Sequence, residues 1–125
     1  MSALMSALLV ALGGASGALL RSGVDALTVR LGIAAPTGTL AVNVVGSFAA
    51  GVVATLLADR VLPETARPLL LTGLFGGFTT FSAFALQLAR MGEKGELLPL
   101  IAYAAGSILI GLLAALAGAA LARAL

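Results

Sequence analysis

The segment that decides the fold is Gly76-Gly77-Phe78-Thr79-Thr80-Phe81-Ser82-Ala83-Phe84, which combines glycines, hydroxyls and aromatic rings in an uncharged run. Lipid offers no partners to exposed backbone or hydroxyl groups, so such a cluster should face protein or a water-filled path. Glycines loosen a helix and free its carbonyls, and hydroxyls donate hydrogen bonds. Phe81 and Phe84 are three residues apart and share a helical face. The segment therefore predicts a membrane helix that breaks near Gly76–Thr79, at an ion site.

The composition predicts an all-α integral membrane protein. Hydrophobic residues make up 61% of the 125 residues, charged residues 10%, and the mean hydropathy is +1.17. About 20 residues at about 1.5 Å each cross a hydrocarbon core of about 30 Å. Four uncharged runs have this length, so we expect four transmembrane helices in one domain covering 1–125. The runs are Met1–Leu20, Leu31–Ala58, Pro68–Ala89 and Leu97–Ala122.

Several function classes are excluded by what the chain lacks. The first charge is Arg21, so the first run has no basic start and is not expected to be a cleaved signal peptide. There is no cysteine or histidine, which removes disulfides, thiolate metal sites and the commonest general base. A net charge of +2 is too small and scattered for a nucleic-acid surface. We expect a lipid bilayer, and no nucleic acid, as the partner of this surface.

Basic residues are divided almost evenly between the two sides of the predicted bundle. Short connections are expected at Gly32–Gly38, around Pro36, and at 59–64 and 91–96. Four spans place both termini and the second connection on one side. That side holds Arg60, Arg67 and Arg123, and the other holds Arg21, Arg30, Arg90 and Lys94. Orientation follows an asymmetry of basic residues, so this chain could insert both ways, or one orientation could dominate through a weak bias.

The second run has polar and small residues at every fourth position, which places them on one helical face. They are Thr39, Asn43, Ser47, Gly51 and Thr55. Such a stripe should turn away from lipid. Asn43 has two N–H donors and one acceptor, which suit either an ion path or bonding between helices.

The fourth and first runs carry weaker patterns. Tyr103 and Ser107 continue into Gly111 and Ala115 at the same spacing. Tyr103 could instead be an interfacial residue, and Ser107 could bond a carbonyl one turn back. In the first run, Gly13-x-x-x-Gly17 predicts close helix packing.

The chemistry of the spans favours a small anion. No carboxylate lies inside the four runs, where a cation or proton carrier would normally have one. The spans offer donors instead, and phenylalanine rings present a positive edge. Dehydrating a small anion is costly unless other groups replace its water. Ordinary packing would explain the phenylalanines if the polar neighbours were absent.

Across nearly its whole length the chain resembles the Fluc family of small fluoride channels. Three segments carry the resemblance, in matching order and spacing: GGASGALLR at 13–21, GTLAVNVVGSF at 38–48 and GLFGGFTTFSAF at 73–84. The resemblance implies passive fluoride export across the cell membrane by an antiparallel, dual-topology homodimer with two pores. Ala83 and Gly111 depart from the family pattern, where relatives often carry hydroxyls, which thins the polar track.

The resemblance also implies roles for individual residues. Phe81, Phe84 and Asn43 match pore residues of the family, and Arg21 matches an arginine at the pore vestibule. The carbonyls of Gly76 and Thr79 from both subunits would hold a central structural sodium ion. The hydroxyls expected along the ion pathway are those of Thr80, Ser82, Tyr103 and Ser107.

Three rival functions can be compared with this one. A small multidrug exporter would need a glutamate inside the membrane, and none is present. A membrane enzyme would need an acid–base or nucleophile–base set within the spans. A non-transporting small subunit of a larger membrane complex remains open, since small-residue faces would suit it.

Overall fold

The structure, a computed structural model, describes residues 1–125 and contains four helical spans. Helix α1 covers Ala3–Arg30 and helix α2 covers Ala35–Ala58. The third span, Glu64–Glu93, is broken, and the fourth is helix α5, Leu97–Arg123. The predicted four-helix membrane fold is therefore confirmed. Helix α1 extends beyond the first uncharged run and takes in Arg21.

The third span consists of several short elements. A 3₁₀ turn at Glu64–Ala66 leads into a π-helical segment, Pro68–Phe75, and then helix α3, Gly76–Phe78. Residues 79 and 80 are extended, and helix α4 then covers Phe81–Glu93. The break predicted near Gly76–Thr79 is present, and its extended residues are Thr79 and Thr80. The π-helical segment was not predicted. Such segments are rare and often lie at functional sites.

The connections are shorter than the sequence suggested. The first connection contains residues 31–34, and Pro36 lies in the first turn of α2, where its missing N–H costs nothing. The last contains residues 94–96, because α4 continues to Glu93. Gly32 and Gly95, at φ 65° and 72°, allow the chain to reverse within these few residues.

Two helix pairs make up most of the packing: α1 with the π-helical segment, and α2 with α5. Glycine permits both contacts. A Cβ at Gly17 would collide with the Leu74 carbonyl oxygen, and a Cβ at Gly118 with that of Phe48. Gly13 and Gly17 are both buried. The packing role predicted for the Gly13-x-x-x-Gly17 pair is thus confirmed.

The exterior of the folded chain is apolar. Only 14 of the 125 residues are buried, and leucine, isoleucine and valine side chains of all four spans point outward. A soluble protein would hide these groups. The surface requires lipid or another membrane protein around it, so the chain is a multi-pass membrane protein.

Candidate functional site

The break in the third span is held by the side chain of Asn43 on α2. Its Oδ1 accepts a hydrogen bond from the Thr80 backbone N–H at 2.8 Å, and its Nδ2 donates to the Thr80 carbonyl at 3.0 Å. One amide therefore satisfies both backbone groups of the residue that leaves the helix. The amide has a second N–H that these two bonds do not use. Asn43 also lines a surface groove next to the break.

Thr80 also caps the N-terminus of helix α4. Its Oγ1 accepts a hydrogen bond from the Ala83 N–H at 3.2 Å, which is the usual role of threonine at a helix N-terminus. The same oxygen lies 3.2 Å from the hydroxyl of Ser82. Thr80 is buried, whereas Ser82 is exposed on the surface of the single chain.

The break takes the helical donors away from the carbonyls of residues 76 to 79. In a continuous helix the Thr80 N–H would bond the Gly76 carbonyl, but it bonds Asn43. The Ala83 N–H would bond the Thr79 carbonyl, but it bonds the Thr80 hydroxyl. The Thr79 hydroxyl donates back to Phe75 at 2.8 Å. The carbonyls of Gly76 and Thr79, the two residues expected at the sodium site, are thus among those that the break releases.

Gly76 and Thr79 both line one surface groove of about 410 Å³ between α2 and the third span. Asn43, Ser47 and Phe81 line it as well. Gly46 brings α2 close to the break, because a Cβ there would collide with the Thr79 methyl group. Asn43, Ser47, Thr79 and Thr80 bring polar groups into this groove, whose other lining residues are glycines and apolar side chains.

A chain of contacts leads from the groove along one face of α4. The rings of Phe81 and Phe84 meet edge to face, with centroids 5.7 Å apart, and Phe84 meets Tyr103 in the same way at 5.1 Å. Phe84 is 7% exposed and Phe81 78% exposed. The structure therefore brings together three residues that the sequence assigned to the ion pathway.

The sequence analysis missed Gln87, which continues this chain of contacts. The Tyr103 hydroxyl donates to Gln87 Oε1 at 2.7 Å, and Gln87 Nε2 donates to the Thr39 hydroxyl at 2.8 Å. These bonds anchor Tyr103 to α2 and α4, so an interfacial role is not needed to explain it. The available signal was an uncharged amide three residues after Phe84, within the third run.

Ser107 lies one helical turn after Tyr103 on α5. Its hydroxyl is buried and has no hydrogen-bond partner. The expected alternative, a bond to a carbonyl one turn back, is therefore wrong. A buried hydroxyl without a partner is costly unless something else satisfies it. Nearby, the place where a Gly111 Cβ would stand is 3.8 Å from the Ser47 hydroxyl.

Arg21 reaches from α1 to the break. Its Nε donates to the Gly77 carbonyl at 3.1 Å, and the residue is only partly buried. The guanidinium therefore satisfies a carbonyl at the end of the third span's first half. Its other N–H groups remain available as donors.

The polar stripe of α2 turns inward as predicted. Thr39 and Thr55 are buried, Gly51 packs against Ala115, and Asn43 and Ser47 face the break and α5. These contacts place the stripes of α2 and α5 against each other.

Comparison with known proteins agrees with this geometry. The family model described as "CrcB-like protein, Camphor Resistance (CrcB)" matches residues 8–119. The chain is 48% identical to the "Fluoride-specific ion channel FluC" of Paracoccus denitrificans over 116 residues, which is 93% of each chain. It is 50% identical to the protein of the same name from Rhizobium leguminosarum bv. trifolii, over 98% of this chain and 99% of that one. The resemblance predicted from the motifs is confirmed, and the chain belongs to the CrcB family of fluoride channels.

Proposed function

We propose that this chain is a fluoride-selective channel that lets the ion leave the cell passively through the cell membrane. The observation that carries the proposal is its near-complete match to relatives named as fluoride-specific channels. Such a protein is a transporter and not an enzyme. A non-transporting subunit has no comparable support.

The face of α4 provides the chemistry for this task. Phe81 and Phe84 present ring edges, which are positive, and Tyr103 adds a hydroxyl. The spare N–H of Asn43 and the free hydroxyl of Ser107 are further donors for an ion that has lost its water. Donors of this kind can offset the free-energy cost of dehydrating a small anion. The uncharged runs contain no carboxylate that would repel the anion.

The working unit in this proposal is an antiparallel homodimer with two pores. The backbone and side-chain polar groups in the groove at the break cannot face lipid, so a second protein surface should cover it. A second, inverted copy would offer the same groove to the first about a two-fold axis in the membrane plane. Three basic residues against four allow the chain to insert both ways. Phe81, mostly exposed in one chain, would be enclosed.

A structural sodium ion would lie on that axis. Gly76 and Thr79 of each copy would supply carbonyl oxygens, which hard cations prefer. Support for this site comes from the two carbonyls whose helical donors are bonded elsewhere.

The function is tested with purified protein in liposomes loaded with fluoride or with chloride. A potassium ionophore lets potassium leave with the anion, so that no membrane potential builds up to stop efflux. Ion-selective electrodes follow each anion. We expect rapid fluoride efflux and no chloride efflux above that of empty liposomes. Equal release of both anions, or no fluoride release from folded protein, would contradict the proposal.

A further inference from the structure

The chain turns after α2 at Arg60, which has a positive φ of 59°. The Arg60 N–H donates to the Leu57 carbonyl at 3.1 Å, and the Val61 N–H donates to the Leu56 carbonyl at 2.9 Å. These two bonds form the helix end at which glycine is the usual residue. The two other residues with positive φ are both glycines. Because a side chain is disfavoured in this conformation, Arg60 occupies its position against the preference of the backbone.

The guanidinium of Arg60 has no acidic partner. The only ion pair in the structure joins Arg67 to Glu64, through hydrogen bonds of 2.8 and 3.0 Å. Asp59 precedes Arg60 in the chain but forms no ion pair with it. Arg60 is exposed, so its positive charge is available to a ligand.

Arg60 lines a surface cavity of about 540 Å³ between the end of α2 and the start of the third span. Most of the other lining residues are apolar, and the one acidic residue among them is already paired with Arg67. The lining residues are Leu57, Ala58, Arg60, Leu62, Pro63 and Glu64. The cavity therefore combines one uncompensated positive group with largely apolar walls.

The cavity lies at the depth of the lipid headgroups. Helix α2 and its uncharged run both end at Ala58, just before Arg60. The headgroup layer outside a hydrocarbon core of about 30 Å is about 5–8 Å thick on each side. A residue just beyond a span is therefore beside the phosphates of the surrounding lipids, and long basic side chains at helix ends reach such groups.

We propose that this cavity binds the headgroup of an anionic phospholipid, with the Arg60 guanidinium donating to the phosphate. Guanidinium groups bind phosphate through paired N–H donors, and the walls at Leu62 and Pro63 suit the upper part of an acyl chain. A zwitterionic phospholipid carries its own cation beside the phosphate, so an unpaired arginine favours a lipid with net negative charge. Such a ligand gives Arg60 a function that offsets its unfavourable conformation. The site does not depend on the proposed channel function, because its binding is measured without ion flux.

Binding is measured by native mass spectrometry on lipid-depleted protein in detergent, with phosphatidylglycerol or phosphatidylcholine added. The parent should bind phosphatidylglycerol more tightly than phosphatidylcholine. Arg60→Gly and Arg60→Asn should each raise the apparent dissociation constant for phosphatidylglycerol about fivefold, which corresponds to about 1 kcal/mol for one basic residue near anionic lipid. Arg60→Lys keeps the charge and should bind better than either. Arg123→Gln is the control, since it removes a basic residue on the same side of the membrane that does not line the cavity, and it should bind like the parent.

The melting temperature separates a lipid contact from a role in folding. Without lipid, Arg60→Gly should melt above the parent, because glycine adopts the positive φ without steric cost. Short-chain phosphatidylglycerol should raise the melting temperature of the parent more than that of Arg60→Gly, because a ligand stabilises the folded protein that binds it. Glycerol 3-phosphate, which carries the phosphate without acyl chains, should raise neither.

Three results would overturn the proposal. Equal dissociation constants of the parent and Arg60→Gly for phosphatidylglycerol would mean that Arg60 is not a contact. Equally tight binding of phosphatidylcholine by the parent would mean that the cavity does not recognise negative charge. A shift of the parent's melting temperature by glycerol 3-phosphate as large as that by the lipid would make the ligand a soluble phosphate ester.

Discussion

Asn43 and Thr80 are joined by two hydrogen bonds, in which the Asn43 side-chain amide takes the place of the helical partners of the Thr80 N–H and C=O groups. The pair joins α2 to the point where the third span loses its helix. It explains how extended backbone persists within a membrane span, where unsatisfied N–H and C=O groups are costly. The pair also places the spare N–H of Asn43 beside the carbonyls that the break releases.

Asn43→Asp should therefore disable the channel by two routes. The carboxylate can accept from the Thr80 N–H, but it cannot donate to the Thr80 carbonyl, and its charge repels an anion. Leaving that carbonyl unpaired costs about 1–3 kcal/mol. We expect fluoride efflux at least about tenfold below the parent and a lower melting temperature in detergent.

The control for this change is Thr55→Val. Thr55 is also buried on α2, but its hydroxyl donates only to Gly51 of the same helix, at 3.0 Å. Its loss should leave efflux unchanged. Parent-like efflux from Asn43→Asp would show that neither the pair nor the charge at this position matters for conduction.

The sequence predicted the spans and the break because both depend on local composition. Uncharged length identifies the four helices, and a glycine pair followed by hydroxyls identifies the break. Periodicity also placed Phe81 and Phe84 on one face. It could not say which face of a neighbouring helix each pattern meets. That is why Gln87 was missed, and why Asn43 was not predicted to bond Thr80.

The π-helical segment and the exposure of Phe81 could not be predicted from the sequence either. The segment packs closely against α1, where a Cβ on Gly73 would stand 2.9 Å from the Gly13 Cα. This is a relation between distant residues that no local pattern records. Phe81 is exposed because a single chain leaves the groove uncovered.

The ring of Phe81 is tested by Phe81→Ile. Isoleucine keeps the position apolar but removes the positive ring edge and the 5.7 Å edge-to-face contact with Phe84. We expect efflux to fall at least about tenfold while the protein elutes from a sizing column at the same volume as the parent. Phe48→Ile is the control, since Phe48 lies on α2 outside the groove and both ring pairs. Equal efflux from the two variants would mean that the Phe81 ring serves only packing.

The close approach of α1 to the third span predicts opposite effects for two glycine substitutions. Gly17→Ala places a methyl group against the Leu74 carbonyl, and such overpacking costs about 1–3 kcal/mol. A Cβ at Gly23, on the same helix, meets nothing within 4 Å. Gly23→Ala should be neutral or stabilising by up to about 1 kcal/mol. Thermal unfolding in detergent compares them, and a similar melting temperature for both would contradict the packing described.

Dual insertion is tested with a single cysteine, since the chain has none of its own. Ala34→Cys lies in the exposed connection before α2 and keeps all charges. If the chain inserts both ways, a membrane-impermeant maleimide should label roughly half of the protein in sealed vesicles and the rest after permeabilisation, since the basic residues are almost evenly divided. Ile110→Cys, within α5, is the unlabelled control. Labelling from one side alone would mean a fixed topology and rule out the antiparallel dimer.

The sodium site is tested by exchanging cations. If the Gly76 and Thr79 carbonyls of two copies hold the ion, replacing sodium with potassium or a large organic cation should reduce fluoride efflux or dissociate the dimer, because unsatisfied carbonyls at membrane depth are costly. Dimer content is followed on a sizing column, and efflux by electrode. Thr79→Ala tests whether the backbone carbonyl or the side-chain hydroxyl of Thr79 holds the ion. It removes the hydroxyl that bonds Phe75 but keeps the carbonyl, so it should retain the dependence on sodium. Unchanged efflux and an intact dimer after exhaustive sodium removal would show that the groove is satisfied by other groups.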